Sequence, residues 1–122
     1  MNYRGLIWAG MYVEDLDASV VFYRDVLGLP FLGQGEDWAH FDSGAGSMLE
    51  LFSGGKAQRS AKEPAQQSIV LGLRVDDLDR AMETLAGRGV QFIPGGRGES
   101  GGERWAHFYD PEGNRLELKQ LP

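Results

Sequence analysis

The sequence of 122 residues contains no cysteine. This absence excludes disulfides, thiol catalysis and cysteine-based zinc sites, and it makes the cytoplasm the expected compartment. The chain also lacks any apolar run that approaches the roughly 20 residues needed to span a bilayer, and its first residues lack the basic-then-apolar order of a signal peptide. We therefore expect no membrane partner.

Basic residues are scarce as well, with 12 Lys and Arg against 18 Asp and Glu, which gives a net charge of -6. Because nucleic-acid binding requires a basic face, this balance argues against a nucleic-acid partner. Glycine is abundant, with 18 residues, half of which cluster at 44–46, 54–55 and 95–102. Such clusters are typical of turns in a β-rich fold, and the last of them predicts a mobile loop that is a candidate lid.

The sequence contains an internal repeat. Trp38–Phe41 recurs as Trp105–Phe108, and Leu49–Leu51 recurs as Leu116–Leu118, both at an offset of 67 residues. Nine of the sixteen positions in 36–51 are identical to their partners. A match that includes tryptophan and histidine, which are rare residues, rarely arises by chance. It indicates one structural unit that occurs twice.

The repeat extends upstream, where Val13–Asp17 recurs as Val75–Asp79 at an offset of 62 residues. The difference in offset falls in the glycine-rich run before Trp105, where a loop tolerates insertion. A single domain, 1–122, is therefore expected to contain a first module at about 3–52, a polar linker at about 53–67 and a second module at about 68–120.

Each module has the pattern of a strand, a helix and three further strands. The first predicted helix has one apolar face, formed by Leu16, Val20, Tyr23 and Leu27. The second has the same pattern at Leu78, Met82 and Leu85. Apolar residues alternate along the strands, from Ile7 and Ile69 onward, and are expected to pack under the helices. The predicted fold is α+β, with two tandem βαβββ modules that form an open, cup-like mixed β-sheet with helices on its outer face.

The opposite strand faces carry a mixture of Trp, His, Glu and Arg, which suits a ligand cavity better than a dry core. The predicted ligand-binding residues are Trp8, Trp38, His40, Glu50, Val70, Trp105, His107, Tyr109 and Glu117. Tryptophan walls favour a flat aromatic or cationic ligand, although tryptophan is also a common core residue. The glutamates would complement a cation, whereas Arg74 and Arg115 weaken the claim of an acidic lining.

Two segments, Leu16–Leu29 and His107–Leu118, resemble the helix signature and the closing signature of the vicinal oxygen chelate superfamily. That superfamily includes glyoxalase I, fosfomycin-resistance enzymes, extradiol dioxygenases and bleomycin-binding proteins. The resemblance covers almost the whole chain and implies paired βαβββ modules. It also implies a homodimer, and it leaves open whether the modules pair within one chain or across the dimer.

Enzymes of that superfamily usually hold a divalent metal with one residue from each of four strands, often two His and two Glu. Glu50 and Glu117 match two of these positions, whereas Trp8 and Val70 stand at the other two. Neither of the latter can bind a metal, because indole only donates hydrogen bonds and valine has no lone pair. We therefore expect no metal and no other cofactor.

His40 and His107 leave three alternatives open. With Glu50 and Glu117 they can form a displaced site for a divalent metal, because imidazole and carboxylate both suit such ions. They can instead hydrogen bond a ligand or the neighbouring carboxylates. In the third alternative His107 acts with Glu117 as a metal-free acid–base pair. These four residues are the candidates for catalysis, and none of them is assigned a catalytic role.

The leading functional hypothesis is a metal-independent, dimeric binding protein that sequesters an aromatic or hydrophobic small molecule. An antibiotic is the most concrete ligand, by resemblance to the bleomycin-binding members. The alternative is a glyoxalase-like lyase, isomerase or dioxygenase. A third hypothesis is a small accessory subunit that uses the fold to bind a larger partner.

Overall fold

The computed structural model describes residues 1–57 and 62–122, and the chain divides into two compact units, 1–57 and 58–122. In the first unit a strand is followed by a helix and three more strands. Their bounds are β1 Trp8–Tyr12, α1 Leu16–Val21, a π-helical turn Phe22–Val26, β2 Phe31–Gln34, β3 Trp38–Gly44 and β4 Ser47–Phe52. The four strands form one sheet in the order β1-β4-β3-β2, in which β1 and β4 are parallel and the other pairs antiparallel.

The second unit repeats this arrangement. Its elements are a 3-10 turn Pro64–Gln66, β5 Leu71–Arg74, α2 Leu78–Gly87, β6 Gly98–Ser100, β7 Glu103–Tyr109 and β8 Arg115–Gln120. Its sheet has the order β5-β8-β7-β6, with β5 and β8 parallel. The predicted α+β class and the two tandem βαβββ modules, each with a mixed sheet, are therefore confirmed.

Both helices begin at the aspartate of the repeated Val-x-Asp-Leu segment. Asp15 accepts a hydrogen bond from the backbone N–H of Ala18 at 3.0 Å, and Asp77 accepts one from that of Arg80 at 3.1 Å. Each cap satisfies a backbone donor that has no partner inside the helix and stabilises it by about 1 kcal/mol. The fixed starts orient the apolar helix faces toward the sheets.

The core of the first unit lies between α1 and the inner face of its sheet. Tyr23 is fully buried, its ring lies 6.1 Å from that of Phe41, and its hydroxyl donates to the sulfur of Met11 at 3.6 Å. Helix α2 packs in the same way on β7 and β8. Ile7 and Ile69 were predicted to begin the first strand of each module and to pack under the helices, and this prediction was wrong. They precede β1 and β5 and are 69% and 71% exposed.

The predicted linker, 53–67, includes 58–61, which lie outside the described residues. On either side of this gap the chain is bonded to its own unit. The Gly55 N–H donates to the Val13 carbonyl at 3.0 Å, and Lys62 Nζ donates to Asn114 Oδ1. In the described part of the chain, no helix is long and apolar enough to cross a membrane.

The glycine-rich run 95–102 is not wholly the loop that its composition predicts. Gly98–Ser100 forms β6, which pairs with β7. The two-residue turn between them consists of Gly101 and Gly102, whose φ angles of 59° and 82° are typical of a tight hairpin and require glycine. Composition alone missed the strand, because its formation depends on the backbone groups that β7 offers.

Candidate functional site

The candidate site lies on the face of each sheet that is turned away from the helix, which we call the site face. In the first unit it consists of Trp8, Gly10, Tyr12, Trp38, His40, Asp42, Met48, Glu50 and Phe52. In the second unit it consists of Gly72, Arg74, Trp105, His107, Tyr109, Arg115, Glu117 and Lys119. Strand pairing aligns these residues in rows across each sheet, so equivalent residues of the two repeats take equivalent places.

The central row has the same residue types in both units. In the first unit it runs Gly10, Glu50, His40, and in the second it runs Gly72, Glu117, His107. The histidine and glutamate of each row are direct cross-strand neighbours, a relation that brings side chains within about 5 Å. Gly72 leaves room for the neighbouring carboxylate, because a Cβ there would lie 3.1 Å from Glu117 Oε2, whereas Gly10 leaves room for the Trp8 ring.

Glu50 is hydrogen bonded through both of its oxygens. His40 Nε2 lies 2.5 Å from Oε2, and the Trp8 indole N–H donates to Oε1 at 3.0 Å. The hydrogen bond from His40 lowers the pKa of the Glu50 carboxyl, the Trp8 hydrogen bond adds to this effect, and desolvation of the carboxyl opposes it. Both oxygens of the Glu50 carboxylate are therefore already hydrogen bonded within its own unit.

In the second unit His107 is held from two sides. Arg115 Nε donates to His107 Nδ1 at 2.6 Å, so Nδ1 is an acceptor and the ring proton resides on Nε2. His107 Nε2 then donates to Glu117 Oε1 at 3.2 Å. The hydrogen bonds thus fix one tautomer of the imidazole, which no spacing in the sequence indicates.

All three tryptophans lie on the site faces, and each indole covers a glycine. A Cβ atom on Gly10 would overlap the ring of Trp8, and one on Gly98 would lie 2.6 Å from the ring of Trp105. Trp38 covers Gly35 in the same manner. A glycine often marks such a close approach, because it has no side chain to collide with the ring. Trp8 and Trp38 remain 50% and 38% exposed, so their outer surfaces are free to contact a ligand.

The row that contains the repeated tryptophan differs between the units, and we call it the indole row. In the first unit it is aromatic: Tyr12 stacks on Phe52 with a centroid distance of 5.1 Å, and Phe52 pairs with Trp38. In the second unit Arg74, Lys119 and Trp105 take these three places. Lys119 Nζ lies 5.5 Å from the centroid of the Trp105 ring.

The structure brings together most of the residues that the sequence predicts for the site. Trp8, His40 and Glu50 contact one another in the first unit, and His107 contacts Glu117 in the second. Val70 is an exception, because it precedes β5 and is exposed. Tyr109 stands at the end of β7, and its hydroxyl donates to the Lys62 carbonyl at 3.2 Å.

The predicted ligand-binding residues did not include Arg74, Arg115 and Lys119, although alternation along the strands places them on the site face. The close approach of the indoles to glycines and the hydrogen bond from Arg115 to His107 were not predicted. The repeat offsets of 62 and 67 make Arg74 equivalent to Tyr12 and Lys119 equivalent to Phe52, and this relation can be read from the sequence. The side-chain hydrogen bonds had no such signal.

The donor set on the site faces does not fit the metal that the resemblance implies. Trp8 uses its only polar hydrogen on Glu50, where a ligating His would instead offer a lone pair. Among residues 1–57 and 62–122, no group of three His, Cys, Asp or Glu side chains could hold a metal ion. Taken alone, the His–Glu pair of either unit is short of the three or four ligands that a transition metal requires.

A surface groove of about 430 Å³ lies on the β6–β7 hairpin, lined by Glu99, Ser100, Gly101, Gly102 and Arg104. Ion pairs connect this hairpin to the first turn of α2. Asp79 Oδ1 accepts from Arg97 Nη2 at 2.6 Å and from Arg104 Nη2 at 2.9 Å. The hydrogen bond from Arg104 is the main cause of a lowered pKa at Asp79.

Known proteins resemble this chain over most of its length. The uncharacterized protein YraH of Bacillus subtilis (strain 168) is 33% identical over 127 aligned residues, which cover 95% of this chain and 98% of YraH. The metallothiol transferase FosB of Lysinibacillus sphaericus (strain C3-41) is 27% identical over 106 residues, which cover 87% of this chain and 74% of FosB.

Among solved structures, TnmS3, an antibiotic binding protein from Streptomyces sp. CB03234, superposes with a TM-score of 0.75 and 26% identity over 100% of this chain and 99% of TnmS3. The family model described as the Glyoxalase/Bleomycin resistance protein/Dioxygenase superfamily matches residues 5–118, a range that includes both units. The chain therefore belongs to the glyoxalase/bleomycin resistance protein/dioxygenase superfamily.

Proposed function

We propose that this protein binds and sequesters an aromatic or hydrophobic small molecule without the help of a metal. The single observation that carries the proposal is the hydrogen bond of 3.0 Å from the Trp8 indole to Glu50. Trp8 stands at a position where metal-dependent relatives have a metal ligand, but its indole N–H can only donate a hydrogen bond. It donates this hydrogen bond to Oε1 of Glu50, the residue that matches a second ligand position. The first unit thus presents an aromatic surface where such relatives present a metal.

The aromatic character of the first site face supports this proposal. Trp38 lies 4.5 Å from the His40 ring, and Phe52 contacts both Trp8 and Tyr12. Aromatic surfaces that stay partly exposed in a folded protein are typical of ligand or partner contacts. A flat ring that stacks on such a surface gains affinity from apolar burial and from aromatic packing.

An antibiotic is the most concrete ligand for this proposal. TnmS3, which is similar over its whole length, is described as an antibiotic binding protein. We also expect a homodimer in the cytoplasm, an expectation that rests on the family resemblance and on the cysteine-free sequence. Sedimentation of the purified protein should then give twice the monomer mass.

Tryptophan fluorescence provides the test. The purified protein is titrated with bleomycin and a panel of planar aromatic antibiotics, and at least one should quench its emission with saturation. Trp38→Leu should weaken that binding by up to about tenfold, because one stacking surface is lost. Tyr3→Leu, which removes an exposed ring from the N-terminal segment, should not. Saturable quenching by none of the compounds would remove the basis of the proposal.

The same titration distinguishes sequestration from turnover, because a sequestered ligand is recovered with its mass unchanged.

The second candidate function is acid–base catalysis by His107, favoured by the contacts of its ring. Glu117 orients the imidazole through Nε2, and a substrate that displaces Arg115 would find Nδ1 available as a base. Product that forms with the wild-type protein and disappears with His107→Gln would establish this function in place of sequestration.

A further inference from the structure

The charges on the two site faces are not equally satisfied. Glu50 is bonded to His40 and Trp8, and Glu117 is bonded to His107. Each carboxylate therefore has a protein partner before any ligand arrives. A ligand cation would have to compete with these partners, so the glutamates are poor determinants of ligand charge.

The unsatisfied charge is positive and lies on the second unit. Within the described residues, the exposed guanidinium of Arg74 forms no hydrogen bond or ion pair. It is the direct strand neighbour of Lys119, whose ammonium group lies over the Trp105 ring and forms a surface ion pair with Glu103 at 3.3 Å. Among the described residues, the Arg74–Lys119 pair therefore has one carboxylate partner, Glu103 on β7, and keeps a net positive charge.

Comparison of the repeats places the Arg74–Lys119 pair in the indole row. Arg115, the further cation of this site face, corresponds to Met48 and donates to His107 instead. The central rows of the two units have the same residue types, and the repeated tryptophan is present in both indole rows. At the other two positions of the indole row, Tyr12 and Phe52 correspond to Arg74 and Lys119. The second indole row thus keeps a stacking surface and places cations beside it, a combination that suits an aromatic ring with an anionic substituent.

We propose that Arg74, Lys119 and Trp105 form a subsite for an anionic group, such as a carboxylate or sulfonate, attached to an aromatic ligand. This inference rests on the proposed function and adds the charge of the ligand to it. The planar guanidinium of Arg74 matches the paired oxygens of such a group, and the indole supports the ring that bears it.

Two fluorescent probes with one aromatic body provide the test. 8-Anilino-1-naphthalenesulfonate carries a sulfonate that N-phenyl-1-naphthylamine lacks, and binding of each is measured by probe emission. The wild-type protein should bind the sulfonate roughly tenfold more tightly, as expected for a charge-assisted hydrogen bond. Added salt should reduce this preference, because the charges are exposed.

Arg74→Gln should reduce the preference for the sulfonate several-fold, because Lys119 alone remains, and should change the affinity for the neutral probe much less. Arg80→Gln removes the same charge from the exposed side of α2 and should leave the preference intact. Equal affinity for both probes in the wild type, or a preference that Arg74→Gln leaves at its full size, would overturn the anionic subsite and leave aromatic binding in place. Failure of both probes to bind would contradict the proposed function as well. Displacement of the sulfonate probe by an equal concentration of inorganic phosphate would overturn the role of the aromatic body.

Discussion

At the scale of single residues, Glu50 is the clearest example of a side chain whose role is set by its neighbours. It stands where a family enzyme would have a metal ligand, yet its oxygens accept from Trp8 and His40. The same residue type can therefore stabilise an aromatic wall in one chain and bind a cation in another. In the function proposed here, the residue at position 8 decides between these roles.

Protonation of Glu50 should be visible at Trp8. Because its pKa is lowered in the folded state, chiefly by the His40 hydrogen bond, Glu50 contributes stability above the ordinary glutamate pKa of about 4.3. That contribution is lost as the pH falls through the lower, folded-state value. The chemical shift of the Trp8 indole N–H, measured by ¹⁵N NMR, should accordingly change with a midpoint below the ordinary glutamate pKa of about 4.3.

Glu50→Gln should remove this transition, whereas Glu36→Gln, at an exposed position before β3, should keep it. A midpoint at or above the ordinary glutamate pKa would contradict the hydrogen-bonded geometry of Glu50.

The sequence indicated the His–Glu neighbours but not their partners. Alternation along β3 and β4 puts His40 and Glu50 on one face, and the repeat transfers that relation to the second unit. The hydrogen bond from Arg115 to His107, and the indoles that cover glycines, depend on side-chain rotamers. Rotamers are determined by the surrounding packing, so residue spacing does not reveal them.

At the scale of elements, local signals determined the helices well. Asp15 and Asp77 begin α1 and α2 as capping chemistry requires, and Leu78 and Leu85 are buried as the helical period predicts. The π-helical turn Phe22–Val26 had no such signal. In it the Leu27 N–H donates to the Phe22 carbonyl at 2.9 Å, five residues back.

The short strand β6 should depend on the ion pairs that connect its hairpin to α2. Asp79 bonds both Arg97, which precedes β6, and Arg104 on β7. Exposed pairs of this kind are individually weak, so Asp79→Asn should speed amide exchange in Gly98–Ser100 by no more than about fivefold. Hydrogen-exchange mass spectrometry measures this directly.

The repeat supplies a matched control in Asp17, which occupies the equivalent first-turn position of α1. Asp17→Asn removes a similar charge near a helix start but breaks no contact with the hairpin, so exchange in β6 should not change. Equal effects of both substitutions would mean that the ion pairs do not hold β6.

At the scale of the whole molecule, a duplicated unit with diverged surfaces explains why the fold was easier to predict than the ligand. The two copies share their capping residues, buried strand faces and central His–Glu rows, and these shared features determine the βαβββ modules. Function depends on the rows in which the copies differ. Trp8 corresponds to Val70 and Tyr12 to Arg74, and one sequence gives no measure of what those differences bind.

The central claim is that the site faces bind an aromatic ligand without a metal. The most direct test is a calorimetric titration of the quenching ligand into protein treated with a chelator, repeated after addition of Zn²⁺, Ni²⁺ or Fe²⁺. We predict the same dissociation constant in every sample and no stoichiometric metal in the purified protein. Binding that is lost on chelation and restored by one equivalent of metal would contradict the account.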